Sequence, residues 1–217
     1  MATVTFGSYN SKTNFHLDYL HKVIKEPKVK TTTVNIPLAH GELDLTERLT
    51  GPDPIFANRQ ITLNFELRSM RSAWMTDYST IMQSLHGRVM NVTLSEDANY
   101  YWNGRVTVGA LEDHGFTAGI TVTVDAFPFK WKSSQTTVGT YTLSSTVKTV
   151  TLSITDQIAK PEFTVANTTN IEYNGQIFVA TSSIVAPPGM LLKKGNSQTV
   201  KLTGSGSCTF KYRGGAL

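Results

Sequence analysis

Ala118-Gly119-Ile120-Thr121-Val122-Thr123-Val124-Asp125-Ala126 is the stretch from which the fold class is read. Successive side chains of a strand point to opposite faces, so Ile120, Val122 and Val124 share one face while Thr121 and Thr123 share the other. That is a half-buried strand, and one-sided burial belongs to antiparallel sheets with one face on a core and one in water. The same alternation recurs outward in both directions, over residues 29–37, 60–67, 88–94 and 102–108. The expected class is therefore mainly β.

One segment departs from this period. Between residues 71 and 86, Trp74, Tyr78, Ile81, Met82 and Leu85 recur at helical spacing and make a single apolar stripe. A helix of this length is marginal by itself in water, so its stripe must pack on a sheet. Ser69 or Ser72 is expected to cap its first amides, and Gly87 to supply the left-handed residue that ends it. His86 would then face the negative end of the helix dipole.

After Lys132 the sequence becomes Ser133-Ser134-Gln135-Thr136-Thr137, polar and without period, which places a boundary there. Two antiparallel β-sandwich-like domains are expected, residues 1–132 with the packed helix and residues 133–217 as a smaller sandwich. In the second, Asn174-Gly175 between two alternating runs is a hairpin signal. Pro187-Pro188-Gly189 and Lys194-Gly195-Asn196 punctuate it further. Gly204-Ser205-Gly206-Ser207, following Leu202-Thr203, reads as a further turn between a strand at 198–202 and another at 207–213.

Residues 1–132 hold 13 basic and 13 acidic side chains, and residues 133–217 hold 7 basic and 3 acidic, so the whole net charge of +4 lies in the second part. Its cations are scattered and form no aromatic-interleaved basic stripe, which argues against sequence-specific nucleic-acid binding. Cys208 is the single cysteine, which excludes an internal disulfide and Cys-rich metal sites. The first residues lack the basic and apolar regions of a signal peptide, and no apolar run approaches the roughly 20 residues of a membrane span. The expectation is a soluble chain assembled in a cytoplasm, without membrane insertion.

Catalytic groupings are missing from the sequence. Glu96-Asp97 and Glu112-Asp113 are adjacent pairs, which diverge on a strand and face water in a turn, whereas acid–base chemistry needs convergent carboxylates. His16, His21, His40, His86 and His114 show no metal-ligand spacing. Neither a nucleophile elbow nor a phosphate or dinucleotide loop is present. The chain is expected not to be an enzyme, with no catalytic, cofactor-binding or metal residues and no cofactor.

A run of distinctive elements remains: Gly41-Glu42-Leu43-Asp44-Leu45-Thr46, Asn58-Arg59-Gln60-Ile61, the helix closing on Leu85-His86-Gly87, Tyr100-Tyr101-Trp102-Asn103-Gly104-Arg105-Val106, and Phe127-Pro128-Phe129-Lys130. In this order they resemble the N-terminal domain of the distal tail (Dit) proteins of long-tailed bacteriophages. The resemblance implies a galectin-like C-terminal sandwich and a virion structural protein at the tail tip or baseplate, assembled as a homohexameric ring that passes DNA. Its partners would be the tail tube protein and the tail-associated hub protein, with tape measure and receptor-binding proteins as further neighbours. Within that reading, the segments flanking Pro52-Asp53-Pro54 are expected to form an extended hairpin or arm that touches a neighbouring subunit. The alternatives are a monomeric carbohydrate-binding (receptor-binding) sandwich, with Tyr100, Tyr101 and Trp102 stacking on sugar, and another tail protein such as a tube subunit.

Overall fold

The computed structural model describes residues 2–38, 40–50, 53–181, 184–185, 187, 190–195 and 197–217. The chain divides into two compact units, Met1–Pro128 and Phe129–Leu217.

Unit 1 contains β1 (Val4–Phe6), β2 (Tyr9–Asn10), α1 (Ser11–Phe15), β3 (Leu17–Ile24), β4 (Thr33–Asn35), β5 (Glu42–Asp44), α2 (Thr46–Thr50), β6 (Arg59–Leu67), α3 (Trp74–Leu85), β7 (Val89–Leu94), β8 (Tyr100–Asp113) and β9 (Ala118–Ala126). Its main sheet is antiparallel throughout and runs β2-β1-β7-β8-β9-β6-β3. β9, the strand with the cleanest alternation, lies inside the sheet, and β6 alternates beside it with Ile61, Leu63, Phe65 and Leu67 buried. These side chains join Val4, Phe6, Leu17, Val92, Leu94, Val106, Val122 and Val124 in one core.

The helix stands where its stripe predicts. A 3-10 turn over Arg71–Ala73 leads into α3, which buries Trp74, Ile81 and Leu85 in the core and half-buries Tyr78 and Met82. The Tyr78 hydroxyl donates to the Gly109 carbonyl at 3.0 Å, at the register shift between Val108 and Leu111. The expected serine cap is not formed: Ala73 occupies the cap position without a side-chain hydrogen bond. Ser69 instead offers its backbone carbonyl to the Trp74 indole N–H at 2.9 Å. Gly87 takes the left-handed conformation, φ +76°, as expected of the residue after the helix. His86 is the residue that caps the helix C-terminus, its backbone N–H donating to the Met82 carbonyl at 3.0 Å. Its Nδ1 accepts the Val108 N–H at 3.2 Å, so the imidazole also braces β8.

Unit 2 contains β10 (Lys130–Lys132), β11 (Thr136–Ser144), β12 (Lys148–Leu152), β13 (Ile158–Val165), β14 (Thr169–Tyr173), β15 (Gln176–Ala180), β16 (Ile184–Val185), β17 (Leu192–Lys193) and β18 (Gln198–Ala216). β18 belongs to two sheets. Its first part lies between β12 and β14, with β15 outside β14, and its second part lies between β11 and β13. Side chains from both sheets, among them Leu152, Phe163, Ile171, Val200 and Phe210, meet in a single core.

This corrects the turn expected at residues 204–207, because no chain reversal occurs there. Gly206, with φ +86°, lets one 19-residue strand change direction from the first sheet to the second. The Asn174-Gly175 turn does reverse the chain, both residues having positive φ, as a two-residue hairpin requires. Of the other punctuating residues in this unit, Pro188, Gly189 and Asn196 lie outside the described residues.

Candidate assembly surface

Residues from four of the five motifs, all but Gly41–Thr46, meet at one end of the unit 1 sheet. Gly87 N–H donates to the Val106 carbonyl at 2.8 Å, and Val106 N–H donates to the Arg88 carbonyl at 2.9 Å. The Arg105 guanidinium donates to the Gly87 carbonyl. Leu85-His86-Gly87 and Gly104-Arg105-Val106 are thus two halves of one joint. A Cβ at position 104 would stand 2.4 Å from the Asp125 carbonyl oxygen and 2.6 Å from the Ala126 Cα, so only glycine permits this approach of β8 to β9. Asn58 donates to Asp125 at 3.2 Å, Phe127 N–H donates to the Asn103 carbonyl at 2.9 Å, and Asn103 donates to Asn91 at 2.9 Å.

These contacts frame a shallow depression of about 290 Å³. Arg59 lies beside them on the core face, opposite Ala126, which in turn stands opposite Gly104. Two small residues leave that row open, and Arg59 is 8% exposed with no partner for Nε among the described residues. Burial lowers its pKa from the ordinary arginine value. The spacing of these residues in sequence is accordingly a packing requirement of the sheet end.

The described residues between 25 and 58 leave the sheet between β3 and β6 and form an arm. Its backbone ladder runs from a bridge at Val29 and Phe56, through Lys30 N–H donating to the Ile55 carbonyl at 2.7 Å, to the β4-β5 hairpin. Asp44 organises its middle: its carboxylate accepts the Thr46 N–H at 2.8 Å, while the Thr46 hydroxyl accepts the Thr32 N–H at 2.8 Å. Hydrogen bonds from the Thr46 side chain and backbone hold the Asp44 carboxyl below the usual carboxylate range. Gly41 (φ +79°) through Thr46 is therefore the turn and return strand of this arm.

The arm buries little of its own apolar surface. Val29, Val34, Ile36, Leu43 and Ile55 are 40% exposed or more, and Leu38 is fully exposed at its tip. A two-stranded hairpin is marginal alone, and covering each such side chain contributes roughly 1 kcal/mol or more. The arm thus leaves an apolar surface uncovered in the single chain. Asp53 and Pro54 of the proline-punctuated segment are exposed in the single chain, and Pro52 lies outside the described residues.

A second apolar surface lies where α3 begins. Trp74, Met75, Tyr78 and Leu111 line an open groove of about 480 Å³, closed at its rim by Arg71 donating to Asp113 at 2.7 Å. Exposed Met70 and Phe116 stand near it in sequence.

The residues weighed for chemistry remain apart. Glu96 accepts from Lys22, Glu112 lies 3.8 Å from His114, and Asp113 pairs with Arg71. His16 ends α1 in the left-handed conformation, 3.6 Å from Asp77, while His21 contacts Asn64 and His40 is exposed. Among the described residues no three His, Cys, Asp or Glu side chains stand close enough to hold a metal ion, and no helix is long and apolar enough to cross a membrane. Trp102 is 4% exposed and packs in the unit 1 core, and Tyr100 and Tyr101 are half-buried. Cys208 is fully buried, and burial pushes its thiol up to about 11.

No protein-family model matches the sequence, and no curated protein matches it either. Among solved structures, the chain is similar to the Dit protein (gp 19.1) of SPP1, described as a paradigm of the hub adsorption apparatus in Gram-positive infecting phages. The similarity covers 100% of both chains with a TM-score of 0.63, at 10% sequence identity. The chain has a Dit-like fold, mainly β, extending over both units.

Proposed function

We propose that this chain is a structural protein of a phage tail tip, not an enzyme, and that six copies close into a ring joining the tail tube to the hub. The full-length structural match carries the reading, since it spans both units and not one common sandwich. The arm supplies the physical means. A protruding apolar hairpin on one copy, received by a different surface on the next, is a heterologous contact, and such contacts make rings when the rotation closes. Residues 1–132 would form the ring and residues 133–217 a small galectin-like sandwich for peripheral proteins. The tape measure and receptor-binding proteins complete the proposed set of neighbours, and DNA would pass through the lumen.

Of the aromatic run on which the sugar-binding alternative rests, Trp102 is buried in the core, which leaves only the half-buried Tyr100 and Tyr101 to meet a sugar ring. Negative-stain imaging with light scattering on the purified chain tests the proposal. Six-fold rings with six times the chain mass are expected. Single small particles over the whole concentration range overturn it.

A further inference from the structure

Edge strands expose unpaired N–H and C=O groups, and proteins guard them with charges, bulges or brevity. β2 is two residues long, β3 carries Lys22 and a register shift between Tyr19 and His21, β11 shifts between Thr137 and Gly139, and β12 opens on Lys148. β15 has none of these devices. Gln176-Ile177-Phe178-Val179-Ala180 holds no charge and no proline, and it pairs with β14 in unbroken register. It ends its sheet among the described residues.

Ile177 and Val179 are 63% and 60% exposed. Their neighbours across the sheet are polar: Ile177 stands opposite Glu172 and then Lys201, and Val179 opposite Asn170 and then Thr203. Lys201 donates to Glu172 at 2.8 Å. That face offers no apolar platform for a helix or a second sheet. What it offers among the described residues is an unpaired backbone edge with two apolar side chains at its border, which the cross-strand neighbours of an added strand would cover.

We infer that β15 is a strand-addition site, and that the added strand is β15 of a second copy of this chain. Antiparallel pairing centred on Phe178 sets each Ile177 opposite the other copy's Val179 and gathers four apolar side chains. Phe178 faces its own counterpart. The pairing is its own inverse, as a two-fold contact requires. Local charge does not oppose it, since β15 is neutral and Glu172 and Lys201 are paired. The 7 basic against 3 acidic residues of 133–217 do repel weakly, so the contact strengthens as salt is raised. Five residues a side bury less than the roughly 1,000 Å² of a lasting interface. The contact is weak between single chains and gains from several copies held together.

The full-length chain is examined by light scattering and by hydrogen exchange over a concentration series, beside the Ile177→Lys/Val179→Lys variant. The wild type is expected to double in mass from its lowest-concentration species, whatever the copy number of that species, while the β15 amides directed away from β14 slow in parallel. The variant keeps its Tm and loses both responses. Concentration-independent β15 exchange in the wild type overturns the inference, as does doubling that survives in the variant. Protection of β15 that arises only on adding a different purified tail protein excludes the second copy as its occupant. Ring formation is read separately, from the mass and symmetry of the base species.

Discussion

Gly104 and Asp125 meet across the β8-β9 ladder so closely that a Cβ on residue 104 would lie 2.4 Å from the Asp125 carbonyl oxygen. The obstruction is backbone inside a paired ladder, so no side chain can swing away to relieve it. Gly104→Ala is expected to cost roughly 1–3 kcal/mol or more through forced strand separation. Chemical denaturation against the wild type measures it, and a change within about 0.5 kcal/mol would contradict the geometry.

Trp102 follows two half-buried tyrosines but belongs to the core. Trp102→Ala should destabilise by about 3–5 kcal/mol, as large-to-small core substitutions do. The same measurement on Trp102→Phe should recover much of the loss. A Trp102→Ala variant as stable as the wild type would return the indole to the surface.

Asp44 gives the arm a pH dependence. Its carboxyl is held low by Thr46, so the stabilisation is present above the unfolded-state pKa and is lost as pH falls through the lower folded-state value. The Thr46 amide resonance should therefore titrate below the usual carboxylate range. In Thr46→Val, which removes the hydroxyl, the Asp44 titration should move upward toward the ordinary value.

Leu38 and Leu43 should matter to assembly and not to folding, since both are exposed in the single chain. Leu38→Glu/Leu43→Glu is expected to leave the unfolding free energy within about 0.5 kcal/mol of the wild type. Light scattering should show the mass falling toward that of one chain. An undiminished assembly would remove the arm from the subunit contact.

Cys208 should be inert in the folded chain. It is fully buried with a thiol pKa of about 11, so at pH 8 little thiolate exists and none is accessible. A thiol reagent should label the chain only after denaturant is added, and rapid labelling of native protein would show unit 2 open at β18.

The sequence alone determined what short-range periodicity can encode. Alternation over residues 118–126 and 60–67 and the stripe from Trp74 to Leu85 each lie within one element, and burial of one face is enough to select strand or helix. Asn174-Gly175 was legible for the same reason, since its two positive φ angles are a local demand. What depends on the approach of distant segments was decided only by the tertiary structure. The glycines at 204 and 206 carry a local turn signature, yet pairing with β12 and β14 before them and β11 and β13 after them keeps β18 one continuous strand. His86 was legible as the end of a helix, but that its ring also receives the Val108 amide of β8 was not. Gly104 looked like part of a motif until β9 was found to occupy the space a Cβ there would need. The exposure of the arm and of β15 follows from the same cause: periodicity marks which face is apolar, but only the packed fold leaves that face covered or bare.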